Sequence, residues 1–253
     1  MVTIPTALEM LKSGVHFGHQ TQKRHPKMKP FIFTKRNNVS IIDLESTRVK
    51  LEEALDFVRQ ISANGGVILF VGTKKQARSA VRKAAESCKS PFIIVRWIGG
   101  MFTNYDNISR LFTKLKSLES GQTTGEWKKY TKKEQVSLAK EMKKLDEFVG
   151  GVKDMNKLPK AIFVVDIKKE ETAVAEANKR GIPIIAMTDT NVNPELVQYP
   201  IPANDDAVKS IEMISGLIAA AIQEGQANPA RLEPKAEVKT ESQPVAKVAQ
   251  EVK

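Results

Sequence analysis

Val67-Ile68-Leu69-Phe70-Val71 is followed at once by Gly72-Thr73-Lys74-Lys75-Gln76. Gly65-Gly66 turns the chain into this apolar run, and a basic turn leads it out. Five apolar residues without alternation predict a strand buried on both faces, as in a parallel sheet covered by helices. From Lys75 to Cys88, the residues Ala77, Ala80, Val81, Ala84, Ala85 and Cys88 share one helical stripe. Lys74, Lys75, Arg78, Arg82 and Lys83 fall largely away from it. Strand, basic turn and amphipathic helix make a βα unit on which the rest of the chain can be hung.

The same alternation recurs on both sides. Phe92-Ile93-Ile94-Val95 reads as a second buried strand and runs into Arg96-Trp97-Ile98-Gly99-Gly100-Met101. Ala161–Val165 is a third strand ending at Asp166, and the helix after it, Glu170 to Arg180, is closed by Gly181. Ile182–Met187 is a fourth, its proline tolerable near the start. A short edge strand follows around Val197–Ile201. The last helix, Asp205 to about Gln223, is apolar over most of its circumference and should pack deeply. Alternating βα units predict an α/β fold, a doubly wound (flavodoxin-like or Rossmann-like) parallel sheet with right-handed crossovers.

One insertion interrupts it. From Asn104 to about Glu119 the residues Ile108, Leu111, Phe112, Leu115 and Leu118 form one stripe. From Lys132 to Val149, Leu138, Met142, Leu145 and Val149 follow the spacing of a coiled-coil seam. A hydrophilic loop joins the two, so an antiparallel coiled-coil hairpin on the order of 25 Å long is expected to project from the domain. At the N-terminal end, a short helix over 5–13 precedes a long loop over 15–30. Phe31–Phe33 and Val39–Ile42 read as a hairpin with the basic tip Lys35-Arg36-Asn37-Asn38, and a helix follows from Thr47 to Ala63. The expected organisation is a globular α/β domain over 1–103 and 156–225, the hairpin over 104–155, and a disordered tail over 226–253.

The charge points to a polyanion. Lys and Arg number 40 against 29 Asp and Glu, a net charge of +11. No apolar run is long enough for a membrane span, and Glu9, Lys12 and His16 break up any signal-peptide core. The single cysteine fits a reducing compartment, and its place on an apolar stripe makes Cys88 a core residue.

Doubly wound sheets often hold nucleotides at the carboxyl ends of their strands, and Gly72-Thr73-Lys74-Lys75 stands where a phosphate loop would. Neither glycine-rich phosphate motif is present, so a nucleotide- or sugar-phosphate-binding enzyme is the rival reading rather than the main one. Asp166, Asp189, Asp205 and Asp206 fall near strand ends. Helix capping is the plainer role for Asn204, Asp205 and Asp206. Acid–base work or a structural divalent cation held by Asp189, Asp205 and Asp206 with His16 or His19 is the other. No organic cofactor is expected, and no Ser-His-Asp, Cys-His or H-E-x-x-H pattern supports catalysis. Basic clusters, by contrast, recur on loops and hairpin tips with Phe17, Phe31, Trp97, Tyr105, Trp127 and Tyr130 among them. Each cluster alone is usually a solvated face; their repetition suits phosphate contact and base stacking. A third reading is a protein scaffold acting through the coiled coil alone.

Gly14-Val15-His16-Phe17-Gly18-His19-Gln20-Thr21, Pro26–Pro30, Phe70–Lys74 and Arg96–Gly100 resemble ribosomal protein S-two of the small subunit, in its bacterial or organellar form. Thr103-Asn104, Gly150–Met155, Asp189–Asn191 and Ile201–Ala207 continue the match over about residues 5–225. His25, Phe102 and Tyr105 depart from the family's usual asparagine, leucine and tryptophan, and the tail lies outside it. The resemblance implies a non-catalytic cytoplasmic protein of the ribosome that binds small-subunit rRNA between head and body. It also implies late assembly and docking of the S-one protein near the mRNA exit, with no membrane contact and no homo-oligomer. The residues expected to contact RNA are Lys23, Arg24, His25, Lys27, Lys29, Lys35, Arg36, Lys74, Lys75, Arg78 and Arg96, with Lys128, Lys129, Lys132 and Lys133 at the hairpin tip.

Overall fold

All of Ile68–Val71 is buried, and its side chains alternate between two separate apolar cores. The computed structural model in which this is seen describes residues 3–229. The chain runs α1 (Ala7–Lys12), β1 (Phe17–Gln20), β2 (Ile32–Arg36), β3 (Val39–Ile42), α2 (Leu44–Ala63), β4 (Ile68–Val71) and α3 (Lys75–Ser87). It continues through β5 (Phe92–Ile93), α4 (Tyr105–Thr123), α5 (Lys132–Val149), β6 (Ala161–Val165) and α6 (Glu171–Arg180). It ends in β7 (Ile184–Thr188), β8 (Tyr199–Pro202) and α7 (Val208–Ala227).

The expected sheet is present. Five strands in the order β5-β4-β6-β7-β8 pair in parallel throughout. Phe70, Phe163 and Ile185 stand side by side in register and face one layer, with the two phenyl rings edge to face at 5.4 Å. That layer is packed by α2, α3 and α7, whose buried residues include Leu51, Leu55, Val81, Ile214 and Ile218. Leu69, Val71, Ile162, Val164 and Ile184 face the opposite layer, shared with Ile108, Phe112 and Leu115 of α4 and Ala173 and Ala177 of α6. A strand buried on both faces has no solvent face to encode, which is why these runs read as continuously apolar.

Several boundaries differ from the sequence expectation. Residues 15–30 are not one loop: Phe17–Gln20 is a strand on β3, making a separate three-stranded antiparallel sheet in the order β1-β3-β2. Two short 3-10 helices follow it, one turn over Thr21–Lys23 and two over Pro26–Phe31. The second parallel strand stops at Ile93, where the chain leaves the sheet. Helix α7 starts at Val208 and runs to Ala227, so residues 226 and 227 belong to it; the rest of the expected tail, from residue 230 on, lies outside the described residues. Gly181 closes α6 in the left-handed region (φ 65°), as its place in the sequence suggests.

Helices α4 and α5 lie against each other and are linked across by a Lys114–Glu141 ion pair. The seam expected on α5 is covered only in part. Val149 is buried, while Leu138, Met142 and Leu145 are half-buried. Helix α4 commits Ile108, Phe112 and Leu115 to the domain core instead.

Candidate functional site

In the sheet order, β4 is followed on one side by β5 and on the other by β6, so the topological switch point lies between β4 and β6. Lys74 follows β4 and Asp166 follows β6, and their side chains meet there at 3.1 Å. The Lys74 ammonium also lies 2.8 Å from Asp205 and 2.7 Å from Asp206. From β1, His19 places Nδ1 2.9 Å from Asp189 and Nε2 3.4 Å from Asp206. Four strand ends and one strand of the small sheet thus meet in one cluster of two basic and four acidic groups.

Burial works against the Lys74 charge, but hydrogen bonds and attraction to Asp205, Asp206 and Asp166 outweigh it and hold the ammonium above its ordinary range. Burial, with the charges of Asp166 and Asp189, pushes the Asp205 carboxyl up to about 7 despite Lys74. The hydrogen bond to Asp189 raises His19, against burial, and the nearby Asp205 and Asp206 charges act in the same direction. Close by, burial raises Glu170, although its carboxylate accepts from Thr73 N at 3.0 Å and Thr73 Oγ1 at 2.5 Å.

This arrangement explains the Gly18-His19 pair. His19 N donates to Thr190 Oγ1 at 2.9 Å and His25 N to the Thr190 carbonyl at 2.8 Å, so the segment lies flat on the loop after β7. A Cβ at Gly18 would stand 2.5 Å from the Thr190 methyl, which leaves no room for any other residue. None of Asn204, Asp205 and Asp206 caps α7, whose N-cap is Ala207 without a side-chain bond. Asn204 Oδ1 instead accepts from Asp206 N and Ala207 N in the turn before the helix, and the two aspartates turn to Lys74.

Of the five residues offered as cation ligands, His19, Asp205 and Asp206 present ligand atoms within 4.8 Å of one another. Asp205 Oδ2 is buried without a hydrogen-bond partner, and two carboxylates with an imidazole suit a divalent cation. Asp189 reaches the group only through His19. His16 stands outside it, its ring against Phe17 at 4.0 Å. The same geometry bears on a phosphate ligand: with more acids than bases, the switch-point crevice is the wrong sign for a nucleotide.

The expected RNA contacts divide accordingly. Lys74 is 14% exposed and faces three acids; Arg78 Nε donates to the Thr73 carbonyl; Lys27 pairs with Glu195; and His25 accepts from Lys27 N. Lys23, Arg24, Lys29, Lys35, Arg36, Lys75 and Arg96 are exposed, as are Lys128, Lys129, Lys132 and Lys133 beyond α4. None of these exposed cations has an acidic partner among the described residues.

Two features escaped the sequence reading. Glu176, inside α6, accepts from Trp97 Nε1 (3.2 Å), Gly100 N (2.7 Å), Phe102 N (2.9 Å) and Thr103 N (3.2 Å). It thereby holds the whole loop that carries Arg96. An acid on the stripe of Ala173, Val174 and Ala177 was the available signal. Phe33, the other, is the extra residue of a bulge between Ile32↔Ile42 and Thr34↔Ile41, on an edge strand. It is 76% exposed, because a bulge lifts its residue out of the ladder.

The family model for Ribosomal protein S2 matches residues 10–225, which include every element from β1 to β8 and most of α7. The chain belongs to the ribosomal protein S2 family. It is 50% identical over 225 residues to small ribosomal subunit protein uS2 of Salinispora arenicola, covering 88% of this chain and 81% of that one. The uS2 protein of Bdellovibrio bacteriovorus is 48% identical over 220 residues (87% and 70%), and that of Rhodococcus opacus 45% over 254 (99% and 88%). As a uS2 protein the chain is a structural constituent of the small ribosomal subunit, acting in translation in the cytoplasm beside rRNA and other ribosomal proteins, and it is not an enzyme. Among the described residues no helix is long and apolar enough to cross a membrane.

Proposed function

We propose that the protein, as a single copy, holds small-subunit rRNA between head and body through the exposed cations of its small sheet and of the turns between β1 and β2. The observation that carries this is the grouping of Lys23, Arg24, Lys29, Lys35 and Arg36, all exposed and without acidic partners among the described residues. Lys75 and Arg96 extend the surface, and the tip between α4 and α5 adds Lys128, Lys129, Lys132 and Lys133. Lys74 is withdrawn from it by its three carboxylates. The bare Phe33 ring on the unpaired edge of β2 supports docking of a neighbouring protein, and the S-one protein is the partner proposed for it.

The test is binding of full-length Lys35→Glu/Arg36→Glu protein to small subunits depleted of this protein. Affinity is expected to fall at least tenfold at moderate salt. The slope of log affinity against log salt should flatten by about 0.7 for each lost phosphate contact. Both side chains are exposed, so the melting temperature should stay within a degree or so of the wild type. Unchanged affinity and slope would remove RNA binding from this surface.

A further inference from the structure

At the end of the sheet opposite the Lys74 cluster, a groove of about 1070 Å³ opens between the turns that lead into β4, β5, β6 and β7. Its floor is apolar, with Phe57, Ile61, Phe92 and Leu158 partly exposed to it. The exposed amides of Asn64 and Asn156 stand at its sides, with side chains that take no partner among the described residues.

The charges around it are unequally committed. Its two acids are each paired with a base from outside the groove: Glu86 with Arg82 at 2.8 Å and Asp154 with Lys116 at 3.0 Å. Its three lysines, Lys89, Lys157 and Lys160, are exposed and have no acidic partner among the described residues. Lys89 also sits in the left-handed region (φ 54°), where a residue with a side chain is uncommon, and this bend places it at the mouth.

We propose that this groove receives an unpaired nucleotide of small-subunit rRNA. The base lies on the apolar floor, its edge meets the two amides, and the flanking phosphates meet Lys89, Lys157 and Lys160. Unpaired bases are read in this way, by stacking and by hydrogen bonds to their edges, with lysines on the backbone. Uncompensated cations around an apolar floor favour RNA over a protein segment, which would need acids of its own to match them. The site deepens the RNA-binding reading above and rests on it, yet shares no residue with it.

Two measurements on the full chain test it. Val67, 45% exposed on the lip of the groove, is replaced by the photo-cross-linker p-benzoylphenylalanine and the protein is assembled into small subunits. Irradiation should join it to rRNA; a cross-link to protein only, or none, overturns the proposal. Lys157→Glu/Lys160→Glu protein should bind depleted subunits at least tenfold more weakly, with a salt slope flatter by about 1.4 for two lost contacts. Wild-type affinity of that variant overturns it as well. Lys35→Glu/Arg36→Glu protein in the same assay separates the two readings. If that variant alone is weakened, the groove fails and the RNA surface stands; if neither is weakened, both fail.

Discussion

Lys74→Met protein is expected to lose about 3–5 kcal/mol of stability at neutral pH, the usual cost of removing one partner from a buried ion pair. Methionine matches the length of the lysine stem and packs well, so the loss comes from charge rather than volume. Lys74 is the cation shared by Asp166, Asp205 and Asp206, and Asp205 is 1% exposed. Without it, three carboxylates face one another, with only His19 to offset them.

The pH dependence follows from the carboxyl side. The Asp205 carboxyl is already raised from 3.8 to about 7 by burial and by Asp166 and Asp189, and losing Lys74 raises it further. Between about pH 4 and that raised value the folded state holds a proton that the unfolded chain does not. Stability of the variant therefore rises as pH falls through this window. The wild type makes the same gain below about pH 7. The gap should therefore be widest above the raised value, narrow as pH falls to about 7 and change little below it. Lys74 itself, held above its ordinary range, contributes stability throughout this window and loses it only in strong alkali. Urea unfolding at a series of pH values measures this directly. A gap below 1 kcal/mol at pH 8, or one that widens in acid, would show that the cluster is not the buried ion network described.

The sequence made some of this visible and concealed the rest for physical reasons. The α3 stripe and the strand at Ala161–Val165 follow from local periodicity, and all the stripe residues are buried as read. Asp166, Asp189 and Asp205 were placed at strand ends, which in a parallel sheet brings them to one edge. Which base they would surround was not legible, because a lysine after a strand reads as phosphate contact until its partners, far along the chain, are known. Strand β1 was missed because it is four residues long, includes Gly18 and pairs irregularly, so no alternation marks it. The second parallel strand was overextended because Ile94 and Val95 are apolar, whereas its end is set by a loop that a distant acid holds.

That acid gives the second large effect: Glu176→Ala protein should lose about 3–4 kcal/mol. The carboxylate takes N–H groups from Trp97, Gly100, Phe102 and Thr103, and the Trp97 and Phe102 bonds are buried. Each buried donor left without an acceptor costs about 1–3 kcal/mol. Glutamine is not a remedy, since its amide would turn a donor towards N–H groups that need an acceptor; about half the loss should remain. Burial opposes the Glu176 charge, but the N–H groups of Phe102 and Gly100 and the indole outweigh it and hold the carboxyl below its ordinary 4.5. Its stabilising effect is therefore full above pH 4.5 and disappears as pH falls through the lowered value, so wild type and variant should converge in acid. The shift in melting temperature expected for a chain of this size is roughly 6–15 °C. A red shift of Trp97 emission should accompany it, because the indole loses its partner and the loop its anchor. The same loop carries the exposed Arg96, so loosening it should also weaken binding to depleted small subunits. That loss should vanish in an Arg96→Ala background if Glu176 acts by positioning this arginine, and persist there if the loop serves RNA through other groups.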